Sequence, residues 1–231
     1  MRSSHIYSLK KELKDLGLAP SSINKYTNIL SNAWNVARKE WGIILPPQNP
    51  FDLVALEKVN DARTRILTNE EYRTLLEKAK LAPLHMLEDL IKFAYLTGAR
   101  YGEITRLKRK DVDLNNKTCI FRDTKNSEDR TIPLSNEVIK ILKKYPFGEI
   151  VFEVKRERFR KVFNTARRRA NLEDFRFHDL RACFCTNALL SGMSIAEVSS
   201  ISGHKDWSQL KRYTRIKPAD LLEKINNVVP I

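Results

Sequence analysis

Residues 118–134 read TCIFRDTKNSEDRTIPL, and this stretch decides the fold class. Two short runs, 118–122 and 130–134, are rich in β-formers and flank the polar segment 123–129. Such runs on both sides of a polar turn are typical of a β-hairpin. The chain on either side is patterned for helices, so we expect a mainly α protein with a small antiparallel β-sheet, an α+β fold. Val151 and Phe152 are candidates for a further short strand.

Helical patterns surround this hairpin. Gly17 ends a first helix that starts near residue 5, and Pro20 begins a second that reaches about residue 41. Thr68 with Glu71 has the spacing of a capping box, as does Ser194 with Glu197. Further helices are predicted at about 68–79, 84–96, 103–107, 135–144, 155–170, 179–191, 194–202, 207–213 and 218–226.

The polar, weakly patterned segment 57–66 predicts an interdomain linker. It separates a small helical region, residues 1–56, from a larger domain, residues 67–231, which ends in a tail helix from Pro218. Two helices alone bury little apolar surface. We therefore expect the first region either to pack on something else or to be a truncated domain.

The composition favours a polyanionic partner. The 231 residues include 42 Lys and Arg against 28 Asp and Glu, for a net charge of +14. Basic side chains release counterions from nucleic acid, although a ribosomal or membrane-surface protein would show a similar charge. With neither a long apolar run nor a signal peptide, we expect no membrane partner and a cytoplasmic, nucleoid-associated location in a bacterial or phage-infected host.

The three cysteines, Cys119, Cys183 and Cys185, are sparse and lack metal-binding spacing. They indicate a reducing compartment and buried, inert thiols. We accordingly expect neither a metal site nor a cofactor.

Four separated pieces of sequence carry candidate chemistry. Each has an ordinary structural alternative, such as a helix cap, a solvated turn or amphipathic packing. The candidate residues are Arg100, Lys125, His178, Arg181, His204 and Tyr213.

Together these residues form a set suited to phosphoryl transfer. Two guanidinium groups grip phosphate oxygens while keeping their charge. An imidazole binds phosphate or moves the nucleophile's proton, and a lysine on a polar turn protonates a leaving oxygen. A tyrosine hydroxyl attacks phosphorus and leaves later as a phenolate. No acidic metal cluster or P-loop accompanies them.

The ordered set resembles the tyrosine recombinases, the lambda-type integrase family, over roughly residues 65–225. Arg100 in TGARYGE matches the first arginine, and Lys125 the catalytic lysine. FHDLR supplies the H-x-x-R pair His178 and Arg181. The third-motif histidine is His204, and Tyr213, nine residues later, matches the nucleophile. Glu103 matches a supporting acidic position.

The resemblance implies a catalytic domain preceded by a partial core-binding domain, which residues 21–50 resemble. Two departures stand out: Tyr-Thr-Arg replaces the common Tyr-Thr-His, and the N-terminal region is shortened, with fewer helices than a full core-binding domain. The implied activity is site-specific recombination through a 3′-phosphotyrosyl link, in phage or mobile-element integration or excision.

The implied partners are double-stranded DNA recombination sites, bound as a homotetramer, with accessory DNA-bending proteins as further candidates. Two alternatives remain: a truncated remnant that binds DNA without recombining it, and an enzyme like a type IB topoisomerase.

Residues 155–169, KRERFRKVFNTARRR, form the densest basic run. We predict a DNA-facing helix that contacts mainly phosphates, with a solvated helix face as the alternative. The predicted contacts are Lys155, Arg156, Arg158, Arg160, Lys161, Arg167, Arg168 and Arg169.

Overall fold

The computed structural model describes residues 2–59, 65–122, 129–211 and 213. The chain divides into two units, Met1–Arg63 and Thr64–Ile231. Within the described ranges, no helix has the length and hydropathy that a membrane crossing needs. The predicted tail helix at 218–226 lies outside the described residues, as does Lys125.

The first unit is a pair of helices, α1 (Ser3–Asp15) and α2 (Pro20–Lys39), followed by a 3₁₀ turn, Pro50–Leu53. Proline suits the first position of α2 because that N–H would lack a helical partner anyway. Phe51 in the turn and Ile6 on α1 share a small buried core. The Lys10 ammonium lies 2.9 Å from the Glu57 carboxylate and fastens the following segment to α1.

The second unit is mostly helical. Thr68 and Glu71 exchange side-chain-to-backbone hydrogen bonds of 3.1 and 2.8 Å at the start of its first helix. Its second helix ends at Gly98, which has φ of 64°. The helices are α3 (Asn69–Lys80), α4 (Leu87–Thr97), α5 (Tyr101–Ile104), α6 (Asn136–Lys143), α7 (Arg156–Arg169), α8 (Asp179–Leu190), α9 (Ile195–Ser202) and α10 (Ser208–Lys211).

The described strands form one antiparallel sheet in the order β1-β2-β3: β1 is Val112–Asp113, β2 is Thr118–Phe121 and β3 is Arg130–Pro133. Cys119 pairs with Ile132, and Phe121 with Arg130. The predicted hairpin and the α+β class are therefore confirmed. Strand β1 was not predicted, because two residues are too few to show an alternating pattern.

The expected strand at Val151 and Phe152 is wrong. Both side chains are buried, but the pairing near them is a single bridge between Lys108 and Ile150 with two backbone hydrogen bonds, from Val151 N to the Leu107 carbonyl and from Arg109 N to the Glu149 carbonyl. A short apolar run signals burial, and burial alone does not distinguish a strand from an extended core segment.

Two apolar clusters hold the second unit together. The larger joins the sheet to α3 through α8, with Phe93, Phe121, Phe152 and Phe175 fully buried. The smaller lies between α8, α9 and α10, and Tyr213 packs against it. This second cluster places the tyrosine segment beside α8 and α9.

Candidate active site

The chain turns sharply at the end of α4. Gly98 has the left-handed conformation that stops a helix, and Arg100 begins α5. The Arg100 backbone N–H donates to the Glu103 carboxylate at 2.8 Å, and its guanidinium donates to the same carboxylate at 2.7 Å. The turn therefore fixes Arg100 through a buried acidic partner, Glu103.

A second arginine, Arg130 on β3, binds Glu103. Its two terminal nitrogens lie 3.3 and 2.9 Å from the carboxylate oxygens. Burial by itself would raise the pKa of Glu103, but the hydrogen bonds and charges of Arg130 and Arg100 outweigh burial and hold that pKa below its usual value. The carboxylate is thus ionised at neutral pH and ties the hairpin to the α4–α5 turn.

Arg130 was missed in the sequence, although a signal was present. It opens a strand in which the alternate residue, Ile132, is buried, so its side chain falls on the core face. A charge on a core face needs a partner. The Asp and Glu residues of the sequence were the candidates for that partner, and in the structure Glu103 is the one that binds Arg130.

Arg181 lies at the base of the site, with only 3% of its surface exposed. One terminal nitrogen donates to the Gly98 carbonyl at 2.9 Å and also to the Ser202 carbonyl. These carbonyls belong to the C-terminal ends of α4 and α9, where oxygens lack helical partners and the helix dipole is negative. Burial, and then the charge of Arg100, lowers the pKa of Arg181 to about 10, which leaves it charged at neutral pH.

The end of α9 forms the other side of the site. Gly203 ends this helix with φ of 73°, and its carbonyl accepts from the Arg100 guanidinium at 3.2 Å. Both ring nitrogens of the next residue, His204, lie 3.2 Å from the other terminal nitrogen of Arg181, Nη2. The predicted residues Arg100, Arg181 and His204 therefore converge on one turn, 202–204.

His178 stands at the start of α8, three residues before Arg181, and is exposed. Although part of the ring meets solvent, the protein behind it removes hydration and lowers the pKa of His178. The positive charges of Arg181 and Arg100 act in the same direction. The exposed imidazole of His178 is therefore neutral at neutral pH and available to accept a proton.

Tyr213 follows α10 and is half-buried. Its backbone N–H donates to the Leu210 carbonyl at 2.9 Å, and its side chain packs against the cluster that contains Cys185, Ala188 and Val198. The structure thus attaches the tyrosine to the same two helices, α8 and α9, that carry Arg181 and precede His204.

The basic run forms α7, and its apolar residues Phe159, Val162, Phe163 and Ala166 are buried. Arg167 is half-buried and donates to Asn164 at 3.0 Å, and Arg158 donates to the Pro83 carbonyl at 3.1 Å. The exposed cations of the run are Lys155, Arg156, Arg158, Arg160, Lys161, Arg168 and Arg169. They form a positive surface, within which Arg158 and Arg168 also have structural contacts.

Among the described residues, no group of three or more His, Cys, Asp and Glu side chains is placed to hold a metal ion. The three thiols are buried and unpaired. Burial raises the pKa of Cys119 to about 12 and that of Cys183 to about 11, so both stay protonated.

The fold and the site together define a class: a basic, mostly helical domain in which two arginines and a histidine meet at one turn, with a tyrosine packed on the adjoining helices. A model described as the phage integrase family matches residues 65–219. The match covers most of the chain, and the chain belongs to the phage integrase family.

The chain is 33% identical to a shufflon-specific DNA recombinase of Escherichia coli over 201 residues, which cover 86% of this chain and 52% of that protein. It thus spans about half the length of this curated relative. Its fold is similar to that of XerH recombinase bound to difH substrate, with a TM-score of 0.74, 20% identity, and coverage of 99% of this chain and 71% of that chain. A Tn1549 transposon integrase solved with transposon right end DNA gives a TM-score of 0.72 at 20% identity, covering 99% of this chain and 85% of that chain.

Proposed function

We propose that this chain cuts and rejoins DNA strands at specific sites, with Tyr213 as the nucleophile. The observation that carries the proposal is the convergence of Arg100 and Arg181 on the turn that bears His204, with Tyr213 packed on the adjoining helices. The shufflon-specific recombinase and the transposon integrase among its relatives agree with a role in a phage or another mobile element.

The chemistry is a transesterification. The Tyr213 oxygen forms a bond to phosphorus, and the bond from phosphorus to the 5′-oxygen breaks. His178, neutral at pH 7, accepts the phenolic proton, while Lys125 donates a proton to the departing 5′-oxygen. Arg100, Arg181 and His204 bind the non-bridging oxygens, whose charge grows in the transition state.

Rejoining reverses these bonds with a 5′-hydroxyl from a partner strand. The resemblance to the family leads us to propose a homotetramer on two paired duplex sites, passing through a Holliday junction. Residues 1–56 would contribute to clamping the DNA, residues 57–66 would link them to the catalytic domain at 67–231, and accessory bending proteins would assist assembly. The chain would work on the nucleoid of its host cell.

Covalent trapping tests the nucleophile. The protein is incubated with a pool of nicked duplexes that carry a randomised core, so that cleavage releases a short fragment and prevents rejoining. Wild type should give an SDS-resistant protein–DNA adduct, and sequencing of the trapped DNA should reveal the preferred site. Tyr213→Phe should give none. Equal adduct from both proteins would overturn the proposal, and binding without adduct by wild type would support the remnant alternative.

The leaving group tests Lys125. Lys125→Ala should slow cleavage of a normal 5′-oxygen substrate by roughly 100-fold to 10,000-fold, the range for a lost general acid. A substrate with sulfur at that bridging position leaves without protonation and should restore the rate. Failure of the sulfur substrate to restore it would rule out the general-acid role.

We also propose that α7 contacts DNA phosphates. The double substitution Arg160→Gln with Lys161→Gln should weaken binding and reduce the salt slope by about one unit for each phosphate that the variant no longer neutralises. The matched control is Lys140→Gln with Lys143→Gln, which removes two exposed charges from α6. Equal slopes for the two double variants would place the DNA elsewhere.

A further inference from the structure

Ser202, the last residue of α9, is a fully buried hydroxyl that the preceding chemistry does not use. Its oxygen lies 2.6 Å from the Val198 carbonyl one turn earlier and 2.8 Å from Nδ1 of His204. The thiol of Cys185 on α8, also fully buried, is a third hydrogen-bond neighbour of the same hydroxyl. Three polar groups thus compete for one hydroxyl.

The donor and acceptor inventory leaves one consistent arrangement. A serine hydroxyl has one proton to give and two lone pairs that accept. The Val198 carbonyl can only accept, so the hydroxyl proton points to it. The alternative would leave two unprotonated oxygens 2.6 Å apart in a buried place. A lone pair of the hydroxyl then accepts from Nδ1–H of His204, so Nδ1 carries a proton.

Arg181 does not fix the state of the ring. Its Nη2 is 3.2 Å from both Nδ1 and Nε2 of His204. A donor equidistant from both nitrogens and in the ring plane would overlap the carbon between them, so Nη2 lies over the face of the ring. There it meets the π-system, as guanidinium groups often do, and does not point along the in-plane lone pair of either nitrogen.

We propose that Ser202 is a positioning residue that holds His204 in the Nδ1–H form and makes Nε2 its titrating nitrogen. This inference rests on the proposed function for its consequence: Nε2 faces the scissile phosphate and, once it has taken up a proton, donates a hydrogen bond to a non-bridging oxygen. The orientation of the ring is then set from below by a side chain that touches neither DNA nor the nucleophile, as partners of ligating imidazoles commonly do.

The test reads the ring directly, without DNA. The full chain is labelled with ¹⁵N at its four histidines, and the His204 signals are assigned by their loss in His204→Gln. At a pH where the ring is neutral, wild type should show a protonated Nδ1 and an unprotonated Nε2. Ser202→Ala should move the population towards Nε2–H. Wild type with Nε2–H, or an unchanged ring in Ser202→Ala, would overturn the inference.

A neighbouring serine supplies the matched control. Ser199 lies on the same helix and also contacts His204, but it donates to the backbone carbonyl and not to the ring. Ser199→Ala should leave the ring in its wild-type form, and the same shift in both variants would assign the effect to the helix end in general. If Ser202→Ala does not fold, Ser202→Cys keeps a polar hydrogen at this position with a weak acceptor and should give the same shift.

Cleavage measurements connect the ring to catalysis. At saturating DNA, Ser202→Ala should cut about 10-fold to 100-fold more slowly, the usual loss when an imidazole loses its orienting partner, and its pH profile should change while DNA affinity stays the same. A chain that never cleaves DNA would refute the proposed function and leave the ring measurement standing. A chain that cleaves normally with the Nε2–H form would refute only this inference.

Discussion

Two helix ends in the second unit share one backbone design and differ in what surrounds them. Helices α4 and α9 both stop at a left-handed glycine, Gly98 and Gly203, and both offer terminal carbonyls to arginines. A side chain at Gly98 would meet the Phe184 ring, whereas one at Gly203 would meet the Arg130 guanidinium. The first end is therefore limited by apolar packing and the second by a network of charges.

The difference shows which glycine serves the site and which serves the core. Phe184 belongs to the small apolar cluster, so its fit to Gly98 contributes packing. Arg130 binds Glu103, which in turn binds Arg100. Because Gly203 has no side chain, the Arg130 guanidinium can lie close to the backbone just before His204. Substitutions at the two ends should consequently affect different observables.

The largest effect is expected from Gly203→Ala. The added methyl displaces Arg130, and a misplacement of about 1 Å at a site can cost about 100-fold in rate. The left-handed backbone adds roughly 1–2 kcal/mol to the loss of stability. Single-turnover adduct formation and urea unfolding measure the two. Gly17→Ala is the control, since Gly17 has φ of 76° with open space around it and should lose stability without losing activity.

Gly98→Ala should act mainly on stability. Its methyl enters the Phe184 ring, so overpacking of about 1–3 kcal/mol joins the same backbone cost of roughly 1–2 kcal/mol. Phe184→Leu in the same chain should recover the packing part, and a double-mutant cycle by urea unfolding measures the coupling. Additive single effects would show that the ring moves aside freely.

Acid should distinguish the charged end from the packed one. Arg130→Gln removes a charge-assisted partner of Glu103 and should cost about 1.5–3 kcal/mol at neutral pH. Because the pKa of Glu103 is lowered in the folded protein, the stability it contributes is present above the unfolded pKa, near 4.5, and is lost as pH falls through the folded pKa. The difference in free energy of unfolding between Arg130→Gln and wild type should therefore shrink in acid. The difference between Phe184→Leu and wild type should not change with pH.

The smallest effect is expected for His178, which lies three residues before Arg181, the arginine that binds the ends of both α4 and α9. Its folded pKa lies below the usual 6.5, so on acidification the unfolded chain takes up the proton first. Stability should decline as pH falls through 6.5, and His178→Gln should remove that part of the decline. Parallel pH curves for the two proteins, measured by thermal unfolding, would contradict the lowered pKa.

The sequence anticipated features that depend on local chemistry. The capping boxes at Thr68 and Ser194 and the hairpin are set by residues a few positions apart, and each was predicted. The order of motifs likewise predicted that Arg100, Arg181 and His204 meet. The roles of Lys125 and of the tail helix stay predictions.

What the sequence did not show depends on contacts between distant segments. Arg130 reads as one more cation of a basic chain until the fold places Glu103 opposite it, 27 residues away. Ser202 reads as an ordinary helix-end serine until α8 brings Cys185 to its hydroxyl. Strand β1 forms because β2 pairs with it, and two residues carry no pattern of their own.

The hydrogen bonds that Arg181 makes to two distant carbonyls have a consequence for folding during synthesis. Its guanidinium joins a carbonyl 83 residues earlier to one 21 residues later, and the later one lies near the end of the described chain. During synthesis the N-terminal parts leave the ribosome and fold first. Because the Ser202 carbonyl follows α3 to α7 along the chain, the contacts that hold Arg181 can form only after those helices have been synthesised.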